Sequence, residues 1–471
     1  MRCGGAGPPR LPSSVAGAGA AREPSRIRFP HPLALLAICI ALAAVLTWVL
    51  PAGRYERRED AATHRSVVVP GTYQRVAASP VGPFQALVAV PKGLADAGSV
   101  VFLVFLVGGS FAVVDRTGAL RRAVGRLAHA LADREALVIP VACVAFALGG
   151  IVENMQEEII AFVPILLLLT RRLGFDAVTA VAMSLGAAAV GAAFSPVNPF
   201  QVGIAQKLAQ LPQLSAWPFR VATLIPALML WIWGTMRYAA RTRVAPEAAA
   251  EGDVDAAAPL GRSGVILALV LLTFVVLVLG ILRLGWDFDQ MSALFFLMGI
   301  LAGLVGGLGV SGTAAAFADG FGSMAGAAML IGFARAISVV LEQGQVLDTI
   351  VHALFTPIAG LPLAASAVAM AVMHTAVHVP VPSVSGQAVL TMPILVPLSD
   401  LLGLSRQMTV FAYQLGAGLC DLITPTNGGL MAIIAAAGVP YGRWFGFAAR
   451  LFLVLFLFGL IGLGIGIAIG V

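Results

Sequence analysis

The sequence predicts an all-α polytopic membrane protein, and two observations lead to that prediction: composition and the length of the apolar runs. Of the 471 residues, 59% are hydrophobic and 11% are charged, whereas a soluble domain carries about 25% charged residues. The uncharged runs 33 to 50, 263 to 282 and 451 to 471 reach or approach the roughly 20 residues that cross a bilayer as a helix. Because these runs are continuous and not alternating, they indicate helices and not the strands of a closed barrel.

Charge and cysteine content exclude several other classes. The formal net charge of +6 comes almost entirely from Arg, and in a membrane protein positive charge usually reports topology. We therefore expect a lipid bilayer as a partner and no nucleic acid, while a small-molecule substrate follows only from the repeats and helix breaks described below. The four cysteines are scattered without paired spacing, which indicates neither a disulfide framework nor a zinc site.

The chain divides at one polar stretch. We expect a cytoplasmic N-terminal tail at 1–32, a first transporter repeat at 33–238, a polar cytoplasmic linker at 239–262 and a second transporter repeat at 263–471. Predicted spans of the first half are 33 to 51, 98 to 115, 177 to 194 and 219 to 236, with an interfacial piece at 82 to 95 and an Arg-rich amphipathic segment at 116 to 134. Those of the second half are 263 to 283, 290 to 308, 324 to 341, 406 to 423 and 444 to 470, with a short segment at 344 to 356.

Each half also contains a pair of shorter apolar segments around a polar tip. Segments 136 to 151 and 156 to 170 flank the tip 153 to 158, and segments 361 to 377 and 388 to 399 flank the tip 380 to 387. Each segment is short for a full span. We therefore expect two re-entrant helical hairpins.

The two halves align with each other. A shift of 229 residues aligns 162 to 200 with 391 to 429 without a gap, and ten of the 39 pairs are identical. The informative pairs are Pro164 with Pro393, Gly174 with Gly403, Pro196 with Pro425 and Asn198 with Asn427. Such self-similarity predicts an internal repeat.

An odd number of spans separates the two hairpins, which predicts repeats of opposite orientation. Lys and Arg are more frequent in the segments that lie inside when the N-terminus is cytoplasmic. We expect a multi-pass protein of the bacterial inner membrane.

A polar break interrupts one helix in each repeat: the first break is Ser-Pro-Val-Asn-Pro at 195 to 199, and the second break is Thr-Pro-Thr-Asn-Gly-Gly at 424 to 429. Prolines there remove amide donors and free carbonyls, and unpaired backbone at membrane depth is tolerated only where it is buried in protein or lines a cavity. The side chains of Ser195, Asn198, Thr424, Thr426 and Asn427 supply further oxygens for a cation or substrate. The half-helix after each break offers the positive end of its dipole to a carboxylate. The alternative is a simple proline kink.

Charged and polar groups at membrane depth are further candidates, because they are costly there. Glu157 and Glu158, with Asn154, occupy the first tip. Arg335 lies in an apolar stretch and could bind a substrate carboxylate or neutralise an internal acid such as Asp421; a purely structural ion pair is the alternative. The second tip offers Ser383, Ser385, Gly386 and Gln387.

Two histidines precede the second tip at a spacing of four, His374 and His378. This spacing can place two imidazoles on one metal, but no third ligand is nearby. A polar-lining or structural role is therefore expected, with no metal.

Inverted repeats with broken helices are typical of secondary transporters. We expect an ion-coupled symporter or antiporter of small carboxylates or amino acids, with the substrate near the bilayer midplane between the tips and the breaks. The coupling ion is Na⁺ or H⁺, and no other cofactor is indicated. The alternative is a passive channel or facilitator for organic anions. Sequence signatures of metalloproteases, P-loop ATPases and serine hydrolases are missing, so no enzyme is expected.

Several stretches of the chain resemble one known family. They are Phe29-Pro30-His31-Pro32, Trp48-Val49-Leu50-Pro51-Ala52-Gly53-Arg54-Tyr55, Val69-Pro70-Gly71-Thr72-Tyr73, Gly108-Gly109-Ser110-Phe111, Asn198-Pro199-Phe200-Gln201-Val202-Gly203-Ile204-Ala205-Gln206, Ser385-Gly386-Gln387-Ala388 and Gly438-Val439-Pro440-Tyr441-Gly442-Arg443-Trp444. In these the chain is similar to the YfcC family, in the C4-dicarboxylate anaerobic carrier group of the ion transporter superfamily.

The resemblance implies inverted repeats with hairpins, an elevator-like mechanism and, from the superfamily, a homodimer. Members are labelled dicarboxylate carriers or basic amino-acid antiporters. The chain departs from the family in having Val384 where the second tip usually carries a glycine, and in the Asn154-Met155-Gln156 sequence of the first tip.

Overall fold

A computed structural model describes residues 30–60, 65–120, 122–123, 126, 135–153, 155–246, 261–284 and 286–471. Helices dominate this part of the chain, and eight of them are long and apolar enough to cross a membrane. The all-α prediction is confirmed. Asn154, residues 1–29, most of the Arg-rich segment and most of the linker lie outside the described residues.

The helices follow the predicted order. Those of the first half are Pro32–Val49, Pro83–Asp96, Gly98–Arg116, Val138–Glu153, Val163–Arg172, Ala177–Ala193, Ile204–Leu208 and Trp217–Arg241. Those of the second half are Gly261–Leu284, Phe288–Val305, Gly309–Gln343, Leu347–Phe355, Leu363–His378, Val384–Leu402, Arg406–Tyr413, Gly428–Ala436 and Tyr441–Ala468. Short 3₁₀ segments (Glu135–Leu137, Glu157–Phe162 and Thr356–Gly360) and π turns (Ala182–Gly186, Pro199–Gly203 and Gln414–Gly418) extend or interrupt them.

Three boundaries differ from the prediction. The span placed at 324 to 341 is part of the long helix Gly309–Gln343, whose start was obscured by its glycines. Those glycines allow close packing, since a Cβ on Gly320 would lie 2.5 Å from the Cα of Gly109 on a neighbouring helix. The second arm of the second hairpin, predicted at 388 to 399, runs over Val384–Leu402. The span predicted at 406 to 423 contains the π turn Gln414–Gly418, and its last helical residue is Cys420.

The 229-residue register also appears in the local structure. Gly174 and Gly403 both adopt left-handed backbone, with φ of 73° and 71°. Two residues later, the side chains of Asp176 and Ser405 each cap a helix by accepting an amide three residues ahead. Asn198 and Asn427 each cap the half-helix after a break. The two halves therefore share their turns and caps, while their opposite orientation in the membrane stays a prediction.

The two left-handed glycines give a matched test of this register. Gly174→Ala and Gly403→Ala should both lower stability, because a left-handed backbone costs a Cβ-bearing residue about 1–2 kcal/mol. The Gly174 variant should be the less stable of the two. Its new Cβ would lie 2.9 Å from the Val244 carbonyl oxygen, whereas at Gly403 the nearest atom is a Leu363 methyl at 3.8 Å. Thermal unfolding of the two purified variants measures the difference, and equal melting temperatures would contradict the packing described here.

Strands form in the loop between the first helix, Pro32–Val49, and the helix Pro83–Asp96. Gly53–Arg54 pairs with Gln74–Arg75, and Arg57–Asp60 pairs with Arg65–Val68, both antiparallel. Asp348 holds this loop to the helix Leu347–Phe355 by accepting from the Tyr55 amide at 3.0 Å and the Arg57 guanidinium at 2.8 Å. The strand Arg65–Val68 packs against the second arm of the second hairpin. The loop is therefore a small β structure beside that hairpin.

Candidate functional site

A cavity of about 420 Å³ lies where the second break, both hairpin tips and the long helix Gly309–Gln343 meet. Arg57, Ser66 and Val68 of the β loop bound it on one side. The second tip contributes 380–383 and Gly386, and the first tip contributes Gln156. Its volume is in the range of about 300–1,000 Å³ that small-molecule sites occupy.

One stripe of the long helix lines this cavity. Ile331, Arg335, Ser338 and Glu342 follow the spacing i, i+4, i+7 and i+11, which places them on one helix face. Arg335 is thus exposed to the cavity, with 42% of its side chain accessible. Its ion-pair partners are Asp96 at 3.5 Å and Glu342 at 3.6 Å. The pairing of Arg335 with Asp421, one of the possibilities that the sequence left open, is not formed, because Arg335 pairs with Asp96 and Glu342 and Asp421 has other partners.

The second break ends at Asn427, which does two things at once. Its Oδ1 accepts the Leu430 amide at 2.9 Å and so caps the half-helix Gly428–Ala436. Its Nδ2 donates to Oδ1 of Asp421 at 2.7 Å. Gly428 and Gly429, the first residues of this half-helix, line the cavity. The amides of a helix's first turn have no partner within the helix, so a positive helix end borders the cavity.

The two threonines of this break form hydrogen bonds to other parts of the protein. Thr426 donates from Oγ1 to the Val379 carbonyl at 2.7 Å, and the Thr424 carbonyl accepts the Asn427 amide at 3.1 Å. Both threonines are buried. They fix the path of the break against the second hairpin.

Asp421 is the centre of a buried polar cluster. His378 Nε2 lies 2.9 Å from its Oδ1, and Gln156 of the first tip donates from Nε2 to its Oδ2 at 2.5 Å. Sequence analysis missed His378 and Gln156 as site residues. The signals were present: the spacing of the two histidines was noted without a partner, and Gln156 was noted only as part of a departure from the family.

The second tip connects to the same cluster through Gln387. Its amide contacts both His378 and His374. Ser383 caps the hairpin arm by accepting the Gly386 amide at 3.2 Å. Ser385 is half-buried and does not line the cavity. Val384 is buried, and its carbonyl accepts the Tyr413 hydroxyl at 2.7 Å.

In the first break, the side chains of Ser195 and Asn198 form hydrogen bonds with backbone groups of the break and of the first hairpin. Ser195 Oγ accepts the amides of Val197 and Asn198 and donates to the Ile151 carbonyl at 2.8 Å. Asn198 Oδ1 accepts the amides of Phe200 and Gln201, and its Nδ2 donates to the Gly150 carbonyl at 2.7 Å. Neither residue lines the cavity. Their predicted role in binding a cation or substrate stays a prediction.

The first tip is described only in part. Glu158 is half-buried, and its Oε2 accepts the Gln156 amide at 3.1 Å. Asn154 and the side chain of Glu157 lie outside what the structure describes. In the described ranges no group of three or more His, Cys, Asp or Glu side chains could hold a metal ion.

The chain matches one protein family over nearly its whole length. The family model described as C4-dicarboxylate anaerobic carrier matches residues 29–468. An Escherichia coli (strain K12) protein named "Putative basic amino acid antiporter YfcC" is 32% identical, over 92% of this chain and 95% of its own. A Haemophilus influenzae protein is 28% identical, over 93% and 97% of the two chains.

Two solved structures show a more distant likeness. The YdaH transporter of Alcanivorax borkumensis has a TM-score of 0.43 and 18% identity, over 94% of this chain and 99% of that one. MtrF of Neisseria gonorrhoeae, titled as one of a class of antimetabolite efflux pumps, has a TM-score of 0.38 and 16% identity, over 92% and 95%.

The fold and the family define a multi-pass bacterial membrane transporter. The chain belongs to the C4-dicarboxylate anaerobic carrier family, and within it to the YfcC family. The resemblance noted in the sequence motifs is thus confirmed over nearly the whole chain.

Proposed function

We propose that this protein is a secondary active transporter of small molecules that carry a carboxylate, and that the cavity beside the second break is its substrate site. Dicarboxylates and amino acids both belong to this class. Transport is coupled to an ion gradient or to exchange, and the chain has no catalytic activity of its own.

The observation that carries the proposal is the pairing of two cationic features on one cavity. The N-terminus of the half-helix Gly428–Ala436 supplies backbone amides and the positive end of a dipole. Arg335 supplies a guanidinium that can bind a carboxylate through two hydrogen bonds. Glu342, which also lines the cavity, offers an acceptor to a substrate ammonium group. A molecule with a carboxylate at one end and a second polar group at the other fits this arrangement.

The names of relatives support the same class. The family description refers to C4-dicarboxylates, and the name of the E. coli relative refers to basic amino acids. Both kinds of molecule carry a carboxylate, which is the group that the helix end and Arg335 select. The choice between a dicarboxylate and an amino acid depends on which substrate group lies next to Glu342 and Arg57, which also line the cavity.

Counterflow in proteoliposomes tests the proposal. The panel contains succinate, fumarate, aspartate, arginine and lysine. Vesicles loaded with one unlabelled compound are diluted into the same labelled compound. With at least one compound, the vesicles should transiently accumulate label above its equilibrium level. A passive channel equilibrates label without an overshoot. The absence of an overshoot with every member of a wider carboxylate panel, from protein shown to be folded, would contradict the proposal.

The role of Arg335 has a matched control on the same molecule. Arg335→Gln should weaken apparent affinity roughly 10- to 150-fold, since a hydrogen bond to a charged group contributes about 1.5–3 kcal/mol. Arg116→Gln should leave it unchanged, because Arg116 pairs with Asp319 at 2.9 Å and does not line the cavity. The apparent affinity is read from the concentration dependence of counterflow. Equal values in the two variants would remove Arg335 from the site.

A further inference from the structure

A chain of four buried side chains runs behind the substrate cavity. Asp421 Oδ1 lies 2.9 Å from His378 Nε2, His378 Nδ1 lies 3.2 Å from Gln387 Oε1, and Gln387 Nε2 lies 2.8 Å from His374 Nδ1. Asp421 is 2% exposed, and the other three are fully buried. None of the four lines the cavity, but Asn427 and Gln156, which do, both contact Asp421.

The hydrogen bonds determine which way the Gln387 amide faces. Its Nε2 lies 2.8 Å from the His374 carbonyl oxygen, and a carbonyl oxygen only accepts. The nitrogen must therefore face His374, and the oxygen must face His378. Because an amide oxygen only accepts, Nδ1 of His378 carries a proton.

This tautomer fixes the state of the contact with Asp421. If His378 carried its proton only on Nδ1 and Asp421 were ionised, a nitrogen lone pair would face a carboxylate oxygen at 2.9 Å. Such a contact is repulsive. A hydrogen bond at this distance requires one proton between the two atoms, either as an aspartic acid beside a neutral imidazole or as a carboxylate beside an imidazolium. Both forms of the pair have zero net charge.

The surroundings of Asp421 do not suit a metal cation. Its carboxylate is met by N–H donors from Gln156 and Asn427 and by the imidazole of His378. A sodium ion needs several oxygen ligands directed at one point, and here nitrogen donors occupy the positions around both carboxylate oxygens. This arrangement suits a proton shared between Asp421 and His378 better than the oxygen shell of a sodium ion.

We propose that Asp421 and His378 together bind the coupling proton of transport, and that Gln387 positions it by fixing the His378 tautomer. This inference rests on the proposed function. The structure corresponds to the proton-loaded state. Loss of the proton turns the 2.9 Å contact repulsive, so Asp421 must then move. That motion reaches the cavity through Asn427, whose Nδ2 holds Asp421 while its Oδ1 caps the half-helix at the substrate site.

Other titratable groups face the pair from each neighbouring element. His374 lies on the same hairpin arm, and the ring of Tyr413 on the broken helix packs edge-on against it at 5.2 Å. Cys420 precedes Asp421 and contacts the Thr375 carbonyl at 3.8 Å. Glu158 of the first tip contacts the Gln156 amide. Of these groups, Asp421 contacts His378 directly, with its Oδ1 2.9 Å from Nε2.

Transport assays separate this inference from the proposed function. Counterflow exchanges substrate without net proton movement, whereas accumulation in a pH gradient requires the carrier to load and release its proton. Asp421→Asn resembles the protonated acid in shape and charge. With the panel member that shows counterflow, the ratio of accumulation driven by the pH gradient to counterflow should fall in this variant, whatever its absolute rate of counterflow. Accumulation in Asp421→Asn that still follows the pH gradient, or wild-type accumulation that follows a sodium gradient instead, would overturn the proton assignment.

A second measurement needs no substrate. Infrared difference spectra of the wild-type protein between acid and alkaline buffer should contain carboxyl and imidazole bands from the pair. These bands should vanish in both Asp421→Asn and His378→Asn and persist in Asp400→Asn, whose carboxylate is exposed and pairs with Arg406 at 2.7 Å. Bands that persist in Asp421→Asn would overturn the inference, even where a variant no longer transports. Absence of wild-type counterflow with these bands present would instead reject only the proposed function.

Gln387→Met tests the positioning role. Methionine has a similar shape but no amide, so the tautomer is no longer fixed. We expect the pH profile of accumulation to shift relative to that of counterflow measured on the same preparation. An unchanged pH profile would show that Gln387 only packs.

Discussion

Replacing Asn427 with Ala should lower transport more than any other single change at the second break. The change removes the cap of the half-helix, which costs about 0.5–2 kcal/mol. It also removes a hydrogen bond to a carboxyl group, worth about 1.5–3 kcal/mol. Even the smaller of these, expressed wholly in binding, corresponds to a severalfold loss of affinity. The rate of counterflow and its substrate dependence measure the loss.

Asn427→Ser separates the two contributions. Serine is a good helix cap but cannot reach Asp421 as the longer amide does. If the bond to Asp421 matters, the Ser variant should transport poorly, and its stability should lie between that of Asn427→Ala and that of the wild type, because it keeps the helix cap but loses the hydrogen bond. Normal transport in both variants would show that the hydrogen bond between Asn427 and Asp421 has no role in transport.

Asn198→Ala, the equivalent change in the first repeat, should act differently. Asn198 does not line the cavity, and its amide bridges the break to the Gly150 carbonyl. Transport should fall, but the loss should come with a lower melting temperature. A variant with normal stability and normal transport would show that this break tolerates the missing cap and bridge.

The second large effect concerns the packing of the first hairpin. A Cβ on Gly150 would lie 2.0 Å from the Ala188 carbonyl oxygen of the broken helix. Backbone cannot move aside as a side chain can, so Gly150→Ala should cost more than the 1–3 kcal/mol typical of an overpacked core. We expect loss of folded protein, measured as monodisperse yield and melting temperature in detergent.

Gly149→Ala, one residue earlier, is the control. Its new Cβ would meet only the flexible end of Met155, at 3.0 Å. This variant should fold with a small loss of stability. A Gly150 variant as stable as the Gly149 variant would show that the hairpin does not pack against the broken helix in this way.

Much of the fold was predictable because hydrophobic length and helix punctuation are local properties. Most predicted spans end within a few residues of the observed helices, since prolines, glycines and capping residues mark those ends. The register of the repeat was readable for the same reason: Gly174 and Gly403 sit at equivalent turns, and Asn198 and Asn427 at equivalent caps.

The partners within the site were not predictable, because they depend on contacts between distant segments. Asp421 and Gln156 are 265 positions apart along the chain. Arg335 and Asp421 were grouped as the available opposite charges, but Asp96 and Glu342 lie nearer to the guanidinium. The full length of the helix Gly309–Gln343 was hidden because glycines that permit close packing resemble loop residues in sequence.

The roles of most candidate site residues, the coupling ion, the boundaries of the repeats and the expected homodimer remain predictions.

The central claim is that substrate occupies the cavity beside the second break, and substrate protection of an introduced cysteine tests it most directly. In a chain with its four native cysteines replaced, Ser338→Cys places a thiol on the cavity wall, and Ser323→Cys places one on the same helix away from the cavity. The substrate found by counterflow should slow labelling of the first by a thiol reagent in proportion to its occupancy and leave the second unchanged. Equal labelling with and without substrate at Ser338→Cys, in protein that still shows counterflow, would contradict this location of the site.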